Sequence, residues 1–337
     1  MMKKEAILYE KVNNELKCNL CSHRCVIKMG RRGICGVREN KGGKLYTLVH
    51  SKAIASHIDP IEKKPFFHFH PGAEVLSIST AGCNFRCKHC QNSEISQISK
   101  GNGNIIGKFL PPGEVVEIAK KENARGISYT YTEPTIFFEY AYDTAKLAHK
   151  ENLHNNFVTN GYMTEDALNM INPYLDAANV DIKAFTDKFY REICGARLEP
   201  VLDTIKRMKK LGIWIELTTL IIPTLNDSAD ELKQIAEFIK NLDAGIPWHV
   251  SRFHPYYKLN DLPPTPVETL IRAREIGLEA GLRYVYTGNI PGDAGENTYC
   301  YNCGELLINR SGFSVVENKV VNSRCFNCGV KIDGVGV

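Results

Sequence analysis

The sequence predicts an α/β protein built on a parallel sheet and flanked by two cysteine-rich segments. Three observations carry that expectation. From residue 75 to about residue 290, short β-branched runs alternate with amphipathic stretches, the pattern of repeated βα units. Eleven of the 12 cysteines fall into three tight groups, at 18–35, 83–90 and 300–328. The chain has 337 residues, of which 43% are hydrophobic, enough for one large domain with appendages.

Composition narrows the function classes. A net charge of +4 is too small to make nucleic acid an obligatory partner. No apolar run approaches the roughly 18 residues that a membrane span needs. The start, Met1-Met2-Lys3-Lys4-Glu5, is soon followed by Glu10 and Lys11, which leaves no room for the apolar centre of a secretory leader. The protein is therefore expected to be cytoplasmic. In a large chain of that kind, grouped cysteines point to metal rather than to disulfides.

Residues 1–74 are expected to form a cysteine-rich N-terminal region. Cys18, Cys21 and Cys25 are spaced x2 and x3, and Cys35 follows. Gly30, Gly33 and Gly36, interleaved with Arg24, Arg31, Arg32 and Arg38, read as loop. A loop this polar needs a staple, and four thiolates can bind one zinc or one iron–sulfur cluster. The spacing matches no common zinc module, so both metals stay open. His23 reads as a solvated loop histidine. His68 and His70 alternate with Phe67 and Phe69, the pattern of a half-exposed edge strand.

Residues 75–290 are expected to form the α/β domain. Strands are predicted at 75–81, 126–132, 155–159, 178–183, 214–222, 248–253 and 283–287. Helices are predicted near 112–124, 134–151, 164–172, 199–211, 228–241 and 266–280. Pro112 and Gly113 open the first helix and Ser228 a later one. A partial TIM-type barrel and a doubly wound open sheet share this alternation. In either, chemistry gathers at the C-terminal ends of the strands. Cys83, Cys87 and Cys90, spaced C-x3-C-x2-C, follow the first strand. Glu133 ends the second, after Tyr129-Thr130-Tyr131-Thr132, and Asn160 the third. Asp181 and Lys183 share one face of the fourth. His254 and Tyr256 follow the sixth, where a substrate would sit. Three thiolates at this spacing hold three irons of a [4Fe–4S] cube and leave the fourth open to another ligand. Zinc sites prefer paired C-x2-C hooks. Cys194 stands alone and reads as small core filler.

Residues 291–337 are expected to form a zinc-ribbon-like C-terminal domain. Cys300-x2-Cys303 and Cys325-x2-Cys328 are paired hooks, each followed by a glycine, Gly304 or Gly329. Between them, 306–308 and 313–316 read as a hairpin turning at 309–312. A rubredoxin-like iron site is the chemical competitor. So short a unit buries little core, and its metal would supply much of the folding energy.

At Ser79 to Asn92, which contains the triplet, the sequence resembles the radical S-adenosylmethionine (SAM) superfamily, in particular its pyruvate formate-lyase activating enzyme branch. That resemblance selects the barrel, a partial TIM-type (β/α)6 radical SAM barrel. It implies a [4Fe–4S] cluster on Cys83, Cys87 and Cys90, with the SAM amino and carboxylate groups chelating the open iron. It also implies that Glu133 accepts from the SAM ammonium, Asn160 meets the ribose, and Lys183, with Asp181 beside it, meets the methionyl carboxylate. His89 stands where the superfamily usually has an aromatic residue, and an imidazole can still pack against adenine. Tyr131-Thr132 replaces the usual Gly-Gly before Glu-Pro. Over nearly its full length the chain is similar to the radical SAM member of the AmmeMemoRadiSam system. The similarity lies in the four N-terminal cysteines, residues 59–65, the triplet with Gln91-Asn92, and residues 179–183. It implies companions of the Memo and AMMECR1 types.

The expected function is reductive cleavage of SAM to a 5′-deoxyadenosyl radical that abstracts hydrogen from an unidentified substrate, with His254 and Tyr256 orienting that substrate. A one-electron donor such as flavodoxin or ferredoxin is implied, as are zinc at the C-terminal cysteines and a second metal at the N-terminal ones. One alternative is the activase of a glycyl radical enzyme. Another is a metal-dependent protein- or RNA-binding scaffold without SAM chemistry. For RNA the ribbon offers only Arg310, Lys319 and Arg324, which read as scattered surface charge.

Overall fold

The computed structural model describes residues 4–290 and 292–337; residues 1–3, where the stretch weighed above as a leader begins, and Pro291 lie outside the described residues. The β-branched runs are buried on both faces and pair in parallel, as runs without polar alternation must. Eight strands form the main sheet: β1 (Ala55–Pro60), β2 (Glu74–Ser79), β3 (Gly126–Tyr129), β4 (His154–Thr159), β5 (Ala177–Asp181), β6 (Trp214–Ile221), β7 (Trp248–Arg252) and β8 (Val285–Gly288). They lie in strict sequence order. β2 to β8 are parallel and β1 is antiparallel to β2. A doubly wound sheet would reverse its order at a switch point. This sheet winds one way throughout.

Six helices make the crossovers: α1 (Pro112–Lys121), α2 (Phe138–Lys150), α3 (Glu165–Ile171), α4 (Glu199–Lys210), α5 (Ala229–Leu242) and α6 (Val267–Glu279). Ser228 caps α5 by accepting from the Glu231 N–H, as its position before an apolar-periodic run suggested. The helix expected at 134–151 instead begins as a 3₁₀ turn, Pro134–Phe137, capped by the Glu133 carboxylate.

The stretch that carries Gly30, Gly33 and Gly36 is loop and turn as expected, and short strands surround it. Tyr9–Val12, Glu15–Cys18 and Val26–Ile27 form one small antiparallel sheet, and Lys4–Glu5, Lys44–Thr47 and Arg38–Lys41 another. Pairing of β1 with β2 carries the main sheet across the expected boundary at 74. His68 and His70 do not lie on an edge strand. Their segment is irregular, with one bridge from Phe69 to Val335. His68 is fully buried, its Nδ1 2.6 Å from the Asp333 carbonyl and its Nε2 2.5 Å from the Tyr286 hydroxyl. His70 stacks on His154 at 4.2 Å. The segment is drawn inward because Glu216 on β6 accepts the backbone N–H groups of Phe67 (2.9 Å) and His68 (2.8 Å), besides bonding His249 Nε2 at 2.7 Å.

The C-terminal hairpin pairs β9 (Leu306–Ser311) with β10 (Ser314–Asn318), so its turn falls at Gly312-Phe313, later than expected. Arg310 is therefore a strand residue, not a surface charge. It is buried, donates to Thr298 Oγ1 (2.8 Å) and the Phe67 carbonyl (2.9 Å), and lies 3.5 Å from Glu62. The small core here, including Leu307, Ile308 and Ile332, is shared with Phe67, Tyr284 and Tyr286 of the larger unit. Among the described residues, no helix is long and apolar enough to cross a membrane.

Two expected outcomes follow from these buried polar groups. Glu216→Ala leaves buried donors without an acceptor and should cost about 3 kcal/mol or more, read as a lower urea midpoint at unchanged m-value. Burial holds both His68 and His70 down to about 4. The unfolded chain, with histidines near the ordinary value of about 6.5, therefore takes up protons that the folded chain does not. Stability should be full above that value and fall as pH drops from about 6.5 towards 4. A midpoint that stays flat across that window would contradict it.

Candidate active site and cysteine centres

The ends of β2 to β8 surround a cavity of about 480 Å³. Cys83, Cys87 and Cys90 all line it. Their loop is pinned from outside: Gly82 N–H donates to the Ile95 carbonyl (3.0 Å), Arg86 N–H to Cys194 (2.7 Å) and Lys88 N–H to Ile193 (2.9 Å). Gly82 has φ +105°, and a Cβ there would stand 2.7 Å from Val37 Cγ1, so only glycine lets the loop pack this closely. Burial pushes the Cys83 and Cys90 thiols up, and a hydrogen bond with Cys194, then burial, does the same for Cys87. Thiols in such a site become thiolates when a metal takes them. Three convergent thiols, and a buried His89 Nδ1 without a partner, fit a cluster with a small molecule beside it.

The cavity also gathers Glu133, Asn160, Asp181, Lys183 and His89. Lys183 Nζ lies 2.9 Å from Asp181 Oδ2. Burial opposes its charge, but Asp181, with Cys87 and Cys194, holds its pKa well up, so it stays a cation. Asn160 Nδ2 donates to Asn84 Oδ1 (2.8 Å) and reaches Cys83 Sγ at 3.9 Å. Burial, then Lys183, pushes His89 down to about 3, so its imidazole is neutral. Glu133 is 1% exposed and its carboxylate is fully engaged. One oxygen accepts from Thr135 N–H (3.0 Å), Thr135 Oγ1 (2.5 Å) and Thr159 Oγ1 (2.8 Å), the other from Asn160 N–H (2.8 Å).

His254 and Tyr256 are not brought into this cavity. Both are exposed, and the Tyr256 hydroxyl is 3.4 Å from Glu94. Buried Phe253, held through Thr265, ends the inward-facing run, and the chain turns out to solvent after it. Sequence reasoning also missed residues that do face the cavity. Lys64 is 2% exposed, bonded to Asp59 at 2.8 Å and set over the Tyr131 ring at 4.3 Å. Phe313, at the C-terminal hairpin turn, forms part of the far wall. Tyr131 has φ +60°, so it adopts the left-handed backbone that a glycine would favour at a cost of about 1–2 kcal/mol. The signal for that last feature was present, since the superfamily usually has glycine there.

Two further cysteine centres lie outside the cavity. Cys300 Sγ is 3.6 Å from Cys328 Sγ and Cys303 Sγ 3.7 Å from Cys325 Sγ, and all four sulfurs lie within 4.8 Å of one another. Gly304 (φ +75°) and Gly329 (φ +73°) close matching turns by donating to the Cys300 and Cys325 carbonyls. Four sulfurs so arranged suit one tetrahedral ion. Backbone N–H of Val330, then the Asn302 side chain, hold exposed Cys328 down to about 6. Cys18, Cys21, Cys25 and Cys35 face a second, smaller chamber on the other side of the Cys83 loop.

This arrangement of strand-end cysteine triplet and singly wound sheet has relatives. The radical SAM superfamily profile matches residues 77–239. The chain is 49% identical over 334 residues to the uncharacterized protein MJ0808 of Methanocaldococcus jannaschii, covering 98% of this chain and 99% of that one. It is 24% identical to the pyruvate formate-lyase-activating enzyme of Clostridium pasteurianum, over 63% of this chain and 91% of that one. The fold is similar to a radical SAM methyltransferase from Sphaerobacter thermophilus, with a TM-score of 0.52 at 15% identity, over 71% of each chain. The chain belongs to the radical SAM superfamily. It is an enzyme that cleaves SAM at an iron–sulfur cluster and abstracts hydrogen, of the kind similar to pyruvate formate-lyase activating enzyme.

Glu133→Ala is expected to leave four donors without their acceptor, to lower stability by about 3 kcal/mol, and to weaken SAM binding at least tenfold. Chemical denaturation and equilibrium binding under anaerobic conditions measure the two effects. Unchanged values in both would show that the carboxylate does not organise this loop.

Proposed function

We propose that the 480 Å³ cavity is where SAM and substrate meet, with Cys83, Cys87 and Cys90 as the ligands of the [4Fe–4S] cluster. The observation that supports this most is the convergence of three thiols, the Asp181–Lys183 pair and Asn160 on one cavity at the strand ends. The bound cluster and SAM supply a 5′-deoxyadenosyl radical able to take a hydrogen atom from a substrate carbon. The chain binds, orients and excludes water. Lys183 offers its cation to the methionyl carboxylate. Asn160 meets the ribose. Neutral His89 packs on the adenine, with Nδ1 free for one hydrogen bond and no proton to give near pH 7. Glu133 works indirectly, because its oxygens are taken; it fixes the loop whose backbone carbonyls face the ammonium. Lys64, His249 and Phe313 form the substrate side, where His254 and Tyr256 had been expected.

In this reading the singly wound sheet is the partial (β/α)6 barrel. Residues 291–337 are a zinc ribbon, and residues 1–74 are a region ordered by zinc or an iron–sulfur cluster. The electron comes from a one-electron donor such as flavodoxin or ferredoxin, and the reaction takes place in the cytoplasm. The scaffold alternative without SAM chemistry gives way to superfamily membership. Activation of a glycyl radical enzyme remains the second reading, favoured by a relative named as a glycyl-radical enzyme activating enzyme, 26% identical over 211 residues. Memo-type and AMMECR1-type proteins are the companions to test first as substrate or substrate carrier, by anaerobic pull-down with mass spectrometry for a modified residue.

Anaerobically reconstituted protein with dithionite should convert SAM to 5′-deoxyadenosine. Cys87→Ala should lower that rate at least a hundredfold. A variant that kept the parental rate would remove the triplet from the mechanism.

A further inference from the structure

The four N-terminal thiols were compatible with zinc or with an iron–sulfur cluster, and their surroundings discriminate between the two. Cys18 and Cys35 are 6% and 8% exposed, and with Cys21 and Cys25 they line one chamber that also takes in Arg38 and Asn84. The discriminating features are the spacing of the sulfurs and the polar groups beside them. The C-terminal four show the contrast. They all lie within 4.8 Å of one another, and among the described residues no other group of three or more cysteines does, neither the N-terminal four nor the triplet. A cube takes one thiolate at each iron corner and so holds its ligands further apart than a single ion does.

The polar groups around the chamber point the same way. Arg38 is 2% exposed; its Nη2 is bonded to Glu139 and to the Ile7 carbonyl (3.1 Å), while Nε and Nη1 have no partner. Asn84, 1% exposed, has an unpartnered Nδ2. Buried N–H groups do not stay unpaired without cost. A cluster answers them with bridging sulfides as well as thiolates, whereas a single ion brings no acceptor of its own. His23 does not complete a zinc set through Nε2, which lies 2.9 Å from the Asn84 carbonyl.

We propose that Cys18, Cys21, Cys25 and Cys35 hold a second, redox-active iron–sulfur cluster, set directly behind the loop that carries the first. The two loops touch. A Cβ on Gly82 would come within 3.1 Å of the Cys35 carbonyl. Lys100 ties them together, donating from one Nζ to the Ile34 carbonyl (2.9 Å) and to the Cys83 carbonyl, and so puts a half-buried cation where it would lie between the two clusters. The proposal rests on the reading of residues 1–74 as a metal region but not on SAM cleavage.

Iron and sulfide analysis of anaerobically prepared full-length protein tests it. About eight of each per chain are expected, and about four of each in Cys83→Ala/Cys87→Ala/Cys90→Ala. In that triple variant the dithionite-reduced sample should keep an electron paramagnetic resonance signal that SAM does not alter. Zinc in excess of the C-terminal site, with no iron in the triple variant, overturns the proposal. Should the triple variant not fold, Cys18→Ser/Cys25→Ser in the otherwise intact chain decides the question. Iron should fall by about half, with the SAM-sensitive signal retained; iron unchanged from the parent overturns the proposal. Failure of the SAM reading looks different, because the SAM-sensitive signal would be missing from the parent while the N-terminal iron stayed.

Discussion

Three thiols can share one inorganic body only if the loop that carries them is held still by something other than the body. Here that constraint is met by backbone. Gly82, Arg86 and Lys88 each donate an N–H to a carbonyl outside the loop, two of them to Cys194 and Ile193. The segment that precedes α4 thus acts as a splint for the one that follows β2. The parallel registry across β3 and β4 brings the ends of β2 and β5 within two residues of the same level of the sheet. The left-handed turn at Gly82 then brings the loop against Val37 with no room for a side chain.

Charge is organised around the same loop. Lys183 and Lys100 approach it from different sides, and each is only partly satisfied by protein groups. In a medium less polar than water, cations placed beside thiolates are worth more than at the surface. Glu133, the acidic residue nearest in motif terms, is withdrawn from this balance by four donors. It shapes the wall and leaves the cationic side to define how an anionic group would sit. His89, neutral and buried, adds a flat surface without adding charge.

Much of this was legible in the sequence because it is local. Strand and helix positions from 75 to 290 follow from runs of adjacent residues, and β2 to β8 and α1 to α6 fall within a few residues of where those runs place them. The triplet and the paired hooks are local as well. What stayed hidden depends on chain segments far apart. The alternation of His68 and His70 with phenylalanines is what an edge strand would show, yet Glu216, nearly 150 residues on, draws that segment inside. Arg310 looked like surface charge because its partners Phe67 and Glu62 lie far back in the chain. Cys194 read as filler; it is buried, as filler should be, but it also neighbours Cys87 and pushes that thiol's pKa up. The outward turn after Phe253 could not be told from an inward one, since polar strand-end residues look alike in either case.

The hairpin turn at Gly312-Phe313 links two things that the sequence kept separate. Its tip lines the cavity at the strand ends, while its base is anchored in the knuckles of Cys300–Cys303 and Cys325–Cys328 and in a core shared with Tyr284 and Tyr286. The small C-terminal unit thus also supplies part of the cavity wall. An ion held by these four thiols would therefore steady more than the hairpin: without it the panel of cavity wall at Phe313 would loosen, and solvent would gain a path to whatever the cavity encloses.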